Sequence, residues 1–522
     1  MRNVNRVIRR ARAPLSAEIG SRRSVRRWPV LMAAALALAS AGLLPRRDRG
    51  VAAVRASEGK PKPLQNLGSW TAPLSLSVSA IHAALLPNGQ VLMWFADVPF
   101  GSGTNSHANL WDPATNAVTS NDLTENYDIF CAGNSLLPNG QLFIAGGRDD
   151  SKPHADAGIP QTFLYDATTS SWTQGPTMSY YRWYPTNLEL GDGSILIASG
   201  KDDNGDVVYE MEKYDYQTNT LTVLPASANM STANTYIYPR MVLMPSGRVF
   251  MGGMYAQSMI FNPASNTWAN GPSLNFGQRI YGAMVPLPGL QKVMEAGGDP
   301  LESQAGNATT TVEVIDFSKP KPAWSLVASM NEPRQNENLV LLPDGTVLAV
   351  GGGTGGGRYT NPVYQPEDYD PVANTWTLYN PQQAQRTYHS TALLLPDGRV
   401  MSAGSDSGPN ARTLEVFSPP YLSNGVRPTI TSAPASLTYQ QRFMIVTPDA
   451  ASITRVALIK VASTTHATRF DERFVDLTFK IGPGRIMATA PPSGNYAPPG
   501  YYLLDILNSS GVPAVMPFVL LN

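Results

Sequence analysis

The chain has one cysteine, Cys131, and five histidines in 522 residues. A lone thiol cannot close a disulfide within the chain, so the fold is not stapled. In an oxidising compartment such a thiol must be buried, paired between molecules or chemically used. Charge is also sparse, at 15% of residues, and the formal net charge is zero. Residues 1–49 hold 12 Arg against Glu18 and Asp48, which leaves 27 basic and 37 acidic residues in the body. That acidic balance argues against nucleic acid as a partner. Long apolar runs are missing except at residues 28–44, which follow a basic stretch and end near Ala39-Ser40-Ala41. Residues 1–45 therefore read as an export signal or a retained membrane anchor, and 46–67 as a polar linker. Ser21-Arg22-Arg23 is partly similar to a twin-arginine signal.

What is abundant is turn formers, 44 Gly and 44 Pro, which implies many short elements. Six segments share an apolar run, a turn ending in Gly, a second apolar run and, usually, a Gly pair: residues 85–94, 136–147, 188–200, 242–253, 339–352 and 393–404. A looser copy spans 283–298. The turn glycines Gly89, Gly140, Gly193, Gly247, Gly345 and Gly398 recur at 51, 53, 54, 98 and 53 residues. A period near 50 with four strands per unit predicts an all-β, seven-bladed kelch-type β-propeller over 68–420. Tyr165 with Trp172, Phe261 with Trp268 and Tyr369 with Trp376 are expected to pack between blades. From 424 to 522 the pattern changes to short strands, which predicts an immunoglobulin-like β-sandwich. A monomer is expected.

Nine positions before each turn glycine stand Ala80, Cys131, Tyr184, Tyr238, Asn336 and His389. A common register would bring them to one mouth of the central channel. Tyr388 precedes His389, and successive strand residues point to opposite faces, so both can serve one site only at a strand end or an irregular turn. A thiol, two phenols and an imidazole suit Cu(II) better than zinc. His82, two positions off the register, reads as structural, and His107 and His154 fall in loops. Tyr238 and Arg240 could reach substrate.

The chain resembles the galactose oxidase and glyoxal oxidase family of copper radical oxidases over residues 68–522. The likeness rests on Phe130-Cys131, Arg182-Trp183-Tyr184-Pro185, Tyr388-His389-Ser390 with Leu394-Leu395-Pro396-Asp397-Gly398, Thr465-His466, and Pro499-Gly500-Tyr501. The resemblance implies copper held by Tyr184, Tyr388, His389 and His466. It implies too that a thioether joins Tyr184 to Cys131, and that the cross-linked phenol stores an oxidising equivalent as a radical. Tyr388 would be the base, and a finger at 456–466 would deliver His466. The implied reaction oxidises a small aldehyde or primary alcohol, or a glycan primary alcohol, while O2 becomes H2O2. No Trp stands between Asp202 and Tyr214, where galactose oxidase has its stacking Trp, and Trp183 makes the local motif more like glyoxal oxidases. The alternative is a noncatalytic propeller acting as a cell-surface glycan-binding or adhesion module.

Overall fold

The computed structural model describes residues 66–95, 106–149, 151–152, 156–301, 307–405, 408 and 410–522. The export or anchor segment, the linker up to residue 65 and His154 lie outside the described residues. The fold is all-β: the only helices among the described residues are three short 3-10 turns.

Each apolar run of a repeat becomes a buried strand, and the turn glycine joins it to the next. Gly89 and Gly398 adopt φ of 86° and 82°, and each N–H bonds the carbonyl three residues back at 2.9 Å, a geometry that favours a residue without Cβ. The second repeat shows the plan. Strands Gly133–Leu136, Leu142–Ala145, Thr162–Asp166 and Ser171–Gln174 pair antiparallel in sequence order. The first two are fully buried and the last is mostly exposed. Tyr165 packs on Trp172 at 4.9 Å, and the Trp172 indole N–H donates to Asn121 O of the preceding repeat at 2.9 Å. Trp268 and Trp376 make the same bond to Ala228 O and Ala328 O. The recurring aromatics thus tie each sheet to its predecessor.

Sheets of the same kind begin at His82–Leu85, Thr186–Glu189, Arg240–Leu243, Ala283–Pro286, Gln335–Leu341 and Ser390–Leu394. From Gly133–Leu136 through to Ser390–Leu394 and on to His82–Leu85, each of these first strands contacts the next. The sheet of Ser390–Leu394 is completed by the N-terminal strands Ser69–Trp70 and Leu74–Ser75, which pair with Thr413–Ser418.

The C-terminal region forms two sheets. Ser436–Leu437, Phe518–Leu521, Gly500–Asn508, Ile453–Lys460 and Phe474–Asp476 make one, and Arg442–Val446, Arg485–Thr489 and Phe479–Gly482 the other. They share a core that includes Phe443, Ile445, Leu458, Ile486, Leu504 and Ile506. Ile453–Lys460 belongs to this sheet, so the finger is shorter than residues 456–466. It is the hairpin Ser463–Thr465 with Thr468–Arg469, whose first strand adds to the edge of His82–Leu85 and also touches Gly133–Leu136.

Candidate metal centre

The register of nine residues before the turn has a conformational signature. Cys131, Tyr184, Tyr238, Asn336 and His389 all adopt φ between 47° and 69°. Such a φ is costly for residues with a Cβ, and it aims their side chains out of the sheet pattern. Ala80 lacks it. Tyr281 has it (φ 62°), and it lies nine residues before Leu290, whose N–H takes the turn-glycine role by bonding Leu287 O at 3.0 Å. Counting back from Gly289 misses this tyrosine by one position. The segments also chain together: Tyr184 N–H donates to Cys131 O, Tyr238 N–H to Tyr184 O, and Asn336 N–H to Tyr281 O.

A buried arginine anchors each of four such segments. Arg182, Arg279, Arg334 and Arg386 pair with Glu212, Glu313, Glu367 and Glu415, every side chain fully buried. Each glutamate also accepts backbone N–H groups of the chain leading to its arginine, from Ser179 and from Ala384 for instance. In three repeats the register residue stands two positions after the arginine. After Arg386 it stands three positions on, at His389. One extra residue thus brings both Tyr388 and His389 to the site. Their rings stack at 3.8 Å, 28° apart.

The side chains converge. Tyr184 and Tyr388 hydroxyls lie 2.7 Å apart. Cys131 Sγ is 3.3 Å from His466 Nε2, and the ligand atoms of Cys131, His389 and His466 all lie within 4.8 Å of one another. His389 and His466 rings are 4.2 Å apart, and Tyr184 and His466 rings 4.8 Å. Cys131, Tyr184, Tyr388 and His389 are buried and His466 is partly so. The five residues singled out from the sequence therefore meet in one place.

His466 sits at the tip of its hairpin. His466 and Ala467 are both at positive φ (51° and 60°) between the paired Thr465 and Thr468. That is the two-residue loop that Asn-Gly normally fills, so local strain is held where the imidazole is presented. The tautomer follows from the neighbours. Thr465 Oγ1 donates to Ile81 O at 2.8 Å, so at its 2.5 Å contact with His466 Nδ1 it must accept. Nδ1 carries the proton and Nε2 keeps its lone pair toward Cys131 Sγ. His82 carries its proton on the same ring nitrogen. Its Nε2 accepts the Cys131 N–H at 2.9 Å, which leaves Nδ1–H to donate to Asn134 Oδ1 at 3.1 Å, and Trp94 stacks on the ring. Both nitrogens are used, so His82 orients Cys131 and is not itself a ligand.

Burial sets the protonation. It pushes the Tyr184 phenol well above its usual range, with Cys131 and Tyr388 adding to the effect, and does the same to Tyr388. It holds His466 well below the usual imidazole range, helped by His389 and His82, and His82 at about 3. Neutral imidazoles are the metal-binding form, whereas these phenols ionise only against a strong cation. An N/O/S set of this kind fits copper. Beside it opens a cavity of about 200 Å³ lined by Trp183, Lys201, Arg240, Tyr281, Asn336 and Arg358 among others. The Trp183 ring stands edge-on to Tyr184 at 4.4 Å. Tyr238 also lines the cavity, its hydroxyl donating to Ala132 O at 2.8 Å. Tyr281, Lys201 and Arg358 have no counterpart in the sequence reading. Tyr281 was hidden by the Leu290 turn, and Arg358 follows three glycines in a loop with no periodic signal. His107 pairs with Asp122 at 2.9 Å, outside this site.

Comparisons with known proteins agree with this geometry. Residues 83–421 match the glyoxal oxidase N-terminus family model, and 427–521 match the galactose oxidase-like early set domain. A galactose oxidase of Gibberella zeae is 31% identical over 490 residues, covering 87% of this chain and 70% of that protein. An aldehyde oxidase GLOX of Vitis pseudoreticulata is 27% identical over 481 residues, covering 83% and 89%. A solved fungal alcohol oxidase of the AA5 family, in complex with copper, superposes with a TM-score of 0.77 at 23% identity, covering 88% of this chain and all of that one.

Proposed function

Because the chain belongs to the glyoxal oxidase and galactose oxidase family of copper radical oxidases, and is thus a copper-dependent oxidase, we propose that it oxidises a small aldehyde or primary alcohol with O2. The balance is R–CH2–OH + O2 → R–CHO + H2O2, or R–CH(OH)2 + O2 → R–COOH + H2O2 for a hydrated aldehyde. The observation that carries this reading is the 2.7 Å contact of the Tyr184 and Tyr388 hydroxyls beside Cys131, His389 and His466.

Tyr184, Tyr388, His389 and His466 would hold the metal. Bound copper would supply one oxidising equivalent and one-electron exchange with O2. Tyr184 would supply the other equivalent as a phenoxyl radical, stabilised by a thioether to Cys131. Forming that bond removes one S–H and one ring C–H hydrogen, and O2 takes both with two electrons. Tyr388 would accept the hydroxyl proton of the substrate at its own oxygen, and the Tyr184 oxygen would take a hydrogen atom from the substrate carbon. His82 would keep Cys131 in place through the backbone N–H that it accepts. The burial of Tyr184 and Cys131 would keep bulk water from the radical.

The cavity of about 200 Å³ is smaller than an ordinary drug-sized pocket, which supports a small substrate over a glycan. In this reading the seven sheets of the repeat region are the blades of one closed kelch propeller over 68–420. The sandwich over 424–522 is the domain that lends His466. Residues 1–45 would direct export.

Peptide mapping after copper and air exposure tests the site. The expected product is a joined Cys131/Tyr184 peptide two hydrogens lighter than its parts, together with peroxide release on aldehydes. A free Cys131 thiol in protein that has bound copper would overturn it.

A further inference from the structure

The end of the Gly pair obeys a backbone rule that the fourth repeat breaks. In the second strands, Ala145, Ala198, Ala296, Val350 and Ala403 occupy equivalent places opposite the first strands. Two positions after them stand Gly147, Gly200, Gly298, Gly352 and Ser405, all at φ between 81° and 148°. Gly252 is the equivalent residue of the fourth repeat, and two positions after it stands Met254, which does not take that conformation. The hydrogen bonding changes with it. The N–H groups of Gly147, Gly298 and Gly352 donate to the carbonyls of Arg182, Arg334 and Arg386 at 3.0, 2.8 and 2.7 Å. At Met254 the bond runs the other way, from the Arg279 N–H to the Met254 carbonyl at 3.2 Å. The reversed bond goes with an ordinary φ, which admits a side chain where the other repeats need glycine or serine.

Met254 lines the cavity beside Tyr184 and Tyr388, with Trp183, Tyr238 and Tyr281. It also borders a smaller void with Met251 and Tyr255. Among the described residues every methionine is buried except Met254, Met444 and Met487, and the last two lie on the paired strands Arg442–Val446 and Arg485–Thr489 of the sandwich. Peroxide leaving the metal centre therefore meets Met254 before any other accessible thioether. One peroxide in a cavity of about 200 Å³ is on the order of 10 M for as long as it stays there. A thioether needs no ionisation to react with it, so access decides which methionine is oxidised.

We infer that Met254 is a modification site, sulfoxidised by the hydrogen peroxide that the enzyme itself releases, and that the mark slows further turnover. The inference rests on the oxidase reading above. The balance is R–S–CH3 + H2O2 → R–S(O)–CH3 + H2O. A sulfur lone pair attacks one peroxide oxygen and the O–O bond breaks; sulfur loses two electrons and keeps that oxygen, and the other leaves as water with both protons. The sulfoxide is polar and bulkier, so it places a dipole in the cavity wall where an apolar group stood. The Met254 carbonyl also holds the Arg279 N–H, at the head of the segment that carries Tyr281, so the change reaches a second cavity residue.

The test is peptide mass mapping of the copper-loaded full chain after turnover of methylglyoxal, with and without catalase. Catalase is too large to enter the cavity, so it removes only peroxide that has escaped. Turnover is expected to place at least ~5-fold more sulfoxide on Met254 than on Met444, and catalase should clear Met444 and Met487 while Met254 keeps its mark. Reagent peroxide without substrate should reverse the order and mark Met444 first, since that side chain is 44% exposed. Met254→Leu keeps the volume and loses the sulfur. With catalase present, its rate of substrate consumption should decline at least ~3-fold more slowly than that of the wild type, each decline being normalised to its own initial rate. Methionine sulfoxide reductase should restore the wild-type rate. Peroxide release with Met254 unmodified, or loss of the Met254 mark in catalase, overturns the modification site and leaves the oxidase reading standing. Equal decline of the wild type and Met254→Leu overturns the effect on turnover. Absence of peroxide from a panel of small aldehydes and primary alcohols overturns the oxidase reading and the inference with it.

Discussion

At the scale of the residue, the site depends on side chains that never meet the substrate. Thr465 fixes the His466 tautomer, because its one proton is committed to Ile81 O. Thr465→Val removes that acceptor at nearly constant volume, and copper affinity should fall about 10- to 100-fold, the usual cost of losing such a support. Competitive copper titration checks this. His82 makes a separate prediction in the copper-free protein. Its folded pKa of about 3 lies below the ordinary value of 6.5, so the unfolded chain binds the extra proton between those limits. Its contribution to stability is complete above pH 6.5 and is lost as pH falls toward 3, roughly 3 kcal/mol between pH 7 and pH 4. Denaturant melts of wild type and His82→Gln should show the smaller loss in the variant, which has no proton to take up. Cys131 and His389 were legible by their place nine residues before a turn glycine. The tautomers and the role of His82 were not, because they depend on atoms 49 to 384 residues away in sequence.

At the scale of the element, the repeated arginine–glutamate pair holds the connecting segments in a backbone conformation they would not otherwise keep. Removing one member of a fully buried pair leaves the other charge uncompensated, at about 3–5 kcal/mol. Arg386→Met and Arg279→Met should therefore cost similar stability in chemical denaturation. Only Arg386→Met should also weaken copper binding, since it releases Tyr388 and His389, whereas Arg279 precedes Tyr281, which lines the cavity and is not one of the four residues proposed to hold the metal. Equal copper affinity in the two variants would refute this division. The finger shows the same principle from the other domain. Its two-residue tip, His466-Ala467, lacks the Asn-Gly that marks such a turn, and the family resemblance implied a longer finger beginning at Val456. The structure gives Ile453–Lys460 to the sandwich sheet because its partner, Gly500–Asn508, runs alongside it.

At the scale of the whole molecule, the two ends of the repeat region share one sheet, and the C-terminal region reaches into the first. Asp471 accepts Leu136 N–H, Glu472 accepts Leu341 N–H, and Arg473 donates to Leu243 O, so the return of the finger grips three different sheets. Deleting residues 424–522 should abolish copper binding and lower the melting temperature by well over 10 °C, since a core of this size and several buried charge pairs are lost together. Calorimetry and metal analysis of the truncated chain measure both.

The sequence by itself determined the repeat. A Gly-ended turn and two apolar runs are local features, and their spacing near 50 residues implies one all-β unit used many times. It also singled out Cys131, Tyr184 and His389, each a rare residue type at a repeated position, and Tyr388 beside His389, whereas His466 was named through the family resemblance. Only the tertiary structure decided which neighbours complete the site. Tyr281 and Arg358 come from a turn without its glycine and from an irregular loop, and His466 from a hairpin in another sheet. A pattern along the chain records the period of a strand or a turn. It carries no record of which separate turns a closed arrangement of sheets will bring to one point.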